Sequence, residues 1–265
     1  MKHIRGGVTA PSGFTASGIH CGVRRNKEKK DLALIVSELP CAAAACFTTN
    51  KVKGQPVVVS AAHLANGVAQ AIICNSGNAN TCTGEAGIAV AQRMAELVAE
   101  RLPVKAEDVV VASTGVIGRK FPVDRVAGSV SRLVKGLSPG GIPEAAEAIM
   151  TTDRYPKIQY REGPVGGSDV CVCGIAKGAG MIEPGMATLL AFILTDADID
   201  DQAMRRALRD AVDQSFNAIS VDGCMSTNDT VLLLANGIAG NRKIRASTRD
   251  FTVFAAMLTE VMTEL

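Results

Sequence analysis

The 265-residue sequence predicts an α/β protein built as a layered sandwich with mixed sheets, and three observations carry that prediction. Short apolar runs of strand length recur along the chain. Longer stretches between them repeat their apolar residues at helical spacing. The strand-like runs also arrive in consecutive pairs before a helix, which brings antiparallel neighbours into the sheet and disfavours a simple doubly wound arrangement.

Residues 32–36, 42–48, 56–59 and 69–74 read as the first strands. Ile88, Ala91, Met94, Ala95, Val98 and Leu102 then mark one face of a helix that Pro103 stops. Strands follow at 109–112, 170–175 and 189–195. Ile199, Ala203, Met204, Ala207, Leu208, Ala211 and Val212 mark a second helix with Asp198 or Asp200 as its N-cap, and 230–235 is the last strand. Ser247, with Asp250 three residues on, opens a final helix whose apolar residues keep their register from Phe251 to Leu265. No cap closes it. The expectation is a chain that continues beyond residue 265 in its source protein and leaves apolar surface exposed where it stops.

An apolar fraction of 47% suffices for a sizeable core. Net charge is only +2, Trp is absent and there are two Tyr, so no basic patch interleaved with aromatics supports nucleic-acid binding. The densest cationic stretch, 24–31, contains acids and reads as a solvated loop. The first residues lack the apolar core of a signal peptide and no run approaches bilayer length, so the cytoplasm is the expected compartment and a membrane is not an expected partner. Eight cysteines form no C-x-x-C pair and three histidines are scattered, so no metal site is expected and most cysteines read as small buried hydrophobes. There is no P-loop, and Gly178-Ala179-Gly180 lacks the third glycine of a dinucleotide fingerprint, so no nucleotide cofactor is expected.

The most informative stretch runs from Lys177-Gly178-Ala179-Gly180 through Gly185-Met186-Ala187-Thr188 into the apolar run at 189–194. A Gly-rich approach delivers Thr188 to the head of a buried strand, where its hydroxyl can attack the carbonyl of Ala187. The chain would then cut itself. The new chain would begin with a threonine whose own α-amine serves as its base, a known way of activating this nucleophile. The same segment also reads as ordinary turn chemistry before a core strand. The strand-to-turn segment 109–118 offers oxyanion donors in the Thr114 hydroxyl and the Gly115 N–H, and equally reads as a plain junction. The loops 75–80 and 221–230 are polar and follow or precede strands.

The blocks 46–52, 75–80, 113–118, 150–153, 174–178, 186–189 and 226–230 occur in an order and spacing that closely resembles the ornithine acetyltransferase (glutamate N-acetyltransferase) family of arginine biosynthesis. The resemblance covers essentially the whole chain. It implies a self-processing, N-terminal-nucleophile-like sandwich cut between Ala187 and Thr188 into an α chain, 1–187, and a β chain that begins at 188 and reaches 265 here. It implies that Thr188 is the nucleophile and acetyl carrier, that Thr114 and Gly115 form the oxyanion hole, and that Lys177 and one of Thr151 or Thr152 bind substrate. The implied reaction moves acetyl from N2-acetyl-ornithine to glutamate by a ping-pong route, with acetyl-CoA a further candidate donor, no other cofactor, and association of the two chains into a higher oligomer. Gly185 stands where the family commonly carries Asn, which makes for a looser scissile turn. The family also continues past this chain's last helix into a segment with a substrate-binding glutamate. Two readings from other classes remain beside this one: an amidohydrolase or aminopeptidase on a similar self-cleaving scaffold, and a truncated non-catalytic chain.

Overall fold

The computed structural model describes residues 9–180, 189–219 and 225–265. In chain order these form β1 (Phe14–Ile19), β2 (Leu32–Phe47), α1 (Gln55–His63), β3 (Val68–Asn78), α2 (Gly84–Ala99), β4 (Val109–Val116), α3 (Val123–Ala127), α4 (Val130–Lys135), α5 (Ile142–Ile149), β5 (Lys157–Val165), β6 (Ser168–Lys177), β7 (Leu190–Thr195), α6 (Asp201–Gln214), β8 (Thr230–Ala235) and α7 (Arg249–Glu264). The strands join one ladder in the order β4-β3-β2-β8-β7-β6-β5, with β1 also paired to β2. The β3/β4 and β7/β8 pairs are parallel and the others antiparallel, so the sheet is mixed as expected.

The long strand β2 makes this one ladder into two layers. Its first half lies between β1 and β3, its second half pairs β8, and its register against β3 shifts between Val36 and Cys41. Glu38, Leu39 and Pro40 at the shift are exposed. On either side of it the inner faces meet: Ile35, Ile72, Val110 and Ala112 share a buried cluster with Phe192, Leu194, Leu232 and Leu234, all at 2% exposure or less. The one α-helix in that cluster, α5, has 8 residues and is too short to cover both halves, so the halves cover each other. Each such side chain contributes about 1.5–3 kcal/mol of transfer free energy. The outer face of β2–β4 packs under α1 to α4, through Leu34, Ile73, Val111, Met94 and Leu133. The outer face of β6–β8 packs under α6 and α7, through Ile193, Leu233, Met204 and Phe254. The layering is helix, sheet, sheet, helix.

Several elements differ from the sequence expectation. Residues 56–59 are not a strand but the first turn of α1, where Pro56 needs no N–H partner. Ser60 pins that helix to β4, donating to Val111 O at 2.7 Å and accepting from Val111 N at 2.9 Å. The runs 32–36 and 42–48 are halves of one strand, and α2 ends at Ala99, before Leu102. The final helix is capped by Thr248 rather than Ser247, its Oγ1 accepting from Phe251 N at 3.2 Å. Its apolar face is not left exposed: Phe254, Met257, Leu258, Val261 and Met262 are buried and Leu265 half-buried against the sheet. The 24–31 loop is exposed from 25 to 29 as expected, but Asp31 is buried and accepts backbone N–H bonds from Cys21, Gly22 and Arg24, which anchors the loop. Among the described residues no helix is long and apolar enough to cross a membrane.

Of the two caps proposed for α6 the structure selects Asp200, whose Oδ1 accepts from Ala203 N at 2.8 Å. Asp200→Ala is expected to cost about 1 kcal/mol, read as a lower urea midpoint at unchanged slope.

Candidate active site

One end of the folded-over sheet gathers the polar groups. Lys177 at the end of β6 pairs with Leu190 at the start of β7, Leu190 pairs with Thr230 at the start of β8, and Thr230 pairs with Phe47 at the end of β2. The loop 225–230 connects this edge to the other layer. Asn228 Nδ2 donates to Ala79 O at 2.7 Å and Ser113 O at 2.9 Å, just beyond β3 and within β4. Thr81 and Thr227 hydroxyls donate to its Oδ1 at 2.6 and 2.7 Å. Thr48 Oγ1 donates to Ser226 O at 2.7 Å and Asn50 Nδ2 to Met225 O at 3.2 Å, so the end of β2 holds the loop from its other side.

Asp229, 1% exposed, follows Asn228 directly. Its Oδ1 accepts from Leu189 N at 2.8 Å, and its Oδ2 is a buried oxygen for which no partner within hydrogen-bond distance is found among the described residues. Burial pushes its carboxyl up to about 7 against the opposing pull of the Leu189 N–H, the Ser226 hydroxyl and Lys177. Lys177, 2% exposed, donates from Nζ to Thr151 Oγ1 at 3.2 Å. Burial lowers its pKa, while Asp153, Cys74 and Asp229 oppose the shift.

Thr114 is 5% exposed, stands opposite Ser76 in the parallel β3/β4 register, and its hydroxyl bonds to no described residue. Gly115 stands opposite Gly77, both at positive φ, +135° and +114°. A Cβ on Gly115 would sit 2.3 Å from Gly77 C and 2.5 Å from Asn78 N, so this close approach of two backbones requires glycine. Thr188 and Ala187, with Gly185, lie outside the described residues. Leu189 N, bonded to the Thr188 carbonyl carbon, is the nearest described atom along the chain.

Two alternatives left open by the sequence separate here. Thr151 meets Lys177 and lines a pocket of ≈ 200 Å³ with Arg24, Lys30 and Glu147. Thr152 lines a different groove, ≈ 490 Å³, with Arg154, Tyr155, Lys157 and Gly178. Asp153 stands between them. Burial would raise its pKa, but Lys157 Nζ at 2.6 Å and the N–H groups of Gly178 and Thr151 bring it below the ordinary value. Lys157 also donates to Gly178 O at 2.9 Å, so this pair fixes the start of the Gly-rich approach. The sequence reading did not single out Asn228, Asp229, Asp153 or Lys157. The first three sit inside blocks it quoted, and only their burial sets them apart from loop residues.

The titration of Asp229 has a consequence for stability. Its folded pKa, about 7, lies above the unfolded 3.8, so its contribution is fully present below pH 4 and is lost as pH rises through 7. Urea melts across pH 4–8 are expected to show that loss in the wild type and a flatter profile in Asp229→Asn.

The family model described as the ArgJ family matches residues 15–265. An arginine biosynthesis bifunctional protein of Symbiobacterium thermophilum is 50% identical over 266 residues, 100% of this chain and 66% of that relative, so the chain spans about two thirds of the relative's length. A crystal structure of ornithine acetyltransferase complexed with ornithine, from Mycobacterium tuberculosis, matches at TM-score 0.59 and 38% identity, covering 71% of this chain and 98% of that one. An aminopeptidase of Ochrobactrum anthropi, described as a variant of the Ntn hydrolase fold, matches at TM-score 0.56 over 98% of this chain and 86% of its own. At 13% identity that likeness speaks for the fold alone.

Proposed function

The chain belongs to the ArgJ family, and from that premise we propose that it is the self-processing part of an acetyltransferase that moves acetyl from N2-acetyl-L-ornithine to L-glutamate. The observation that carries this reading is the double attachment of the loop 225–230. Asn228 fastens the Ser113 carbonyl immediately before Thr114, and Asp229 fastens the Leu189 N–H immediately after Thr188. The proposed nucleophile and oxyanion donors are thereby tied to two consecutive residues.

In the precursor the Thr188 hydroxyl attacks the Ala187 carbonyl carbon, the C–N bond breaks so that the peptide becomes an ester with a free Thr188 amine, and water then hydrolyses the ester to the Ala187 carboxylate and the Thr188 hydroxyl. In turnover the same hydroxyl attacks the acetyl carbonyl. Its proton passes to the α-amine, whose ordinary pKa of about 7.7–8.0 suits a base near neutrality, and then to the departing ornithine nitrogen. The glutamate amine attacks the acetyl-Thr188 ester in the second half. Thr114 Oγ1 and the Gly115 N–H donate to the oxyanion in both reactions. Lys177, with Thr151 beside it, receives the anionic groups of the substrates. Acetyl-CoA enters, if at all, as an alternative acetyl donor, and the cytoplasm is the compartment we assign.

Cleavage divides the chain into 1–187 and 188 onward without dividing the sheet. β7 and β8 lie between β2 and β6, so the two pieces are interleaved by hydrogen bonds and stay associated.

Intact mass of the whole gene product is expected to reveal a chain beginning at Thr188. Thr188→Ala is expected to abolish both cutting and transfer; an active enzyme that is uncut would refute the reading. Thr114→Ala, with the fold retained by circular dichroism, is expected to lose on the order of 10²–10³ in kcat and to slow processing, since both pass through the same oxyanion.

A further inference from the structure

Arg24 runs between two parts of the candidate site. Its backbone is fixed because the buried carboxylate of Asp31 accepts the Arg24 N–H at 2.8 Å together with those of Cys21 and Gly22. Its stem lies against Gly77, where a Cβ would come within 2.6 Å of Arg24 Cγ, and Gly77 stands opposite Gly115 across the β3/β4 pair. Its guanidinium donates to Met150 O, and the next residue, Thr151, accepts from Lys177 Nζ at 3.2 Å. Cys74, fully buried in β3, feels the charge of both cations. Arg24 and Lys177 therefore share one neighbourhood, with the pocket of ≈ 200 Å³ lined by Arg24 and Thr151 beside them.

The charge of Arg24 is incompletely matched. Half-buried, it gives its head to a neutral carbonyl, and among the described residues no carboxylate lies within ion-pair distance of it; Asp31 and Asp153 act on it from farther off. Lys30, by contrast, has Glu147 at 2.8 Å, and Lys29 is exposed to solvent. Desolvation works against the Arg24 charge, and a guanidinium keeps several N–H donors once one carbonyl is satisfied. That planar fork of donors fits the two oxygens of a carboxylate. Under the acetyltransferase reading, donor and acceptor carry the same α-carboxylate and differ in the side chain, which ends in an ammonium in ornithine and in a carboxylate in glutamate. Glutamate thus brings two carboxylates, and Lys177 is a single cation. We propose that Arg24 holds the side-chain carboxylate of glutamate in the pocket it shares with Thr151, while Lys177 serves the α-carboxylate. The pocket is small beside drug-sized sites and matches a short side chain. The inference rests on the acetyltransferase reading and names the residue that selects its acceptor.

The test uses the whole gene product and two acceptors of the same shape, glutamate and glutamine, which differ in the charge of the side chain. The kcat/KM for acetyl transfer from N2-acetyl-ornithine is measured with each. Wild type is expected to prefer glutamate by about tenfold or more, and Arg24→Gln to lose that preference, since a charge-assisted pair is gone. A purely structural Arg24 would lower both acceptors together. An unchanged ratio in the folded variant therefore overturns the proposal. Should Arg24→Gln fail to fold, Arg24→Lys decides, because it keeps the charge and loses the fork: the ratio is expected to fall about threefold or more, and an unchanged ratio there overturns the proposal too. The wild-type measurement separates the two readings. A wild type that transfers acetyl to neither acceptor overturns both; one that transfers it equally well to glutamate and glutamine overturns this inference alone.

Discussion

The buried side-chain amide of Asn228 ties the two layers of the sheet together at the end where the candidate site lies. Both hydrogens and both lone pairs of this group are used, by Ala79 O, Ser113 O, Thr81 Oγ1 and Thr227 Oγ1. A fully satisfied buried amide has one geometry, and loss of any partner would leave a group costing about 1–3 kcal/mol unsatisfied. Everything near it inherits that geometry. Asp229 is aimed because Asn228 is fixed, Leu189 because Asp229 holds its N–H, and Thr114 because Ser113 shares the same amide.

A second constraint is electrostatic. Lys177 and Asp229 both lie in the low-dielectric end of the core, where burial works against either charge and each charge favours the other. Buried charges seldom increase stability over packed apolar groups, so the placement of Lys177 and Asp229 at one end of the sheet argues for a chemical reason. Asp153 illustrates the contrast: with Lys157 and two backbone N–H groups around it, it is stabilised as an anion and acts as a structural brace for the Gly-rich approach. Among the described residues, the buried oxygen without such compensation belongs to Asp229.

What the sequence made legible was whatever depends on local pattern. The helix at 201–214 followed from its 3.6-residue spacing and an aspartate at its head, and the family from blocks of polar residues at strand ends. The failures are tertiary. Val57, Val58 and Val59 have strand propensity, but Ser60 bonded to Val111 holds them as a helix. β5 carries Lys157, Gln159, Arg161 and Glu162 and shows no apolar run, because as the outermost strand it is covered chiefly by α7. That Thr151 rather than Thr152 meets Lys177 depends on where the Lys177 side chain runs, and Asp229 stands out only through its burial. Neither is a property of neighbouring letters.

The position of the proposed cut explains why such a sheet can generate its nucleophile so late. Residues 178–189 connect two antiparallel neighbours, and whatever happens to that connection the strands on either side remain paired over Val172–Lys177 and Leu190–Thr195. β7 is buried throughout its 6 residues, so a chain end created just before it is held by the continuing strand. Leu189, clamped on one side by Asp229 and on the other by its O accepting from Thr230 N, leaves only the residue ahead of it to be oriented. The ordering entropy of the backbone at Leu189 is therefore met by folding, on the strength of contacts made at both of its peptide groups.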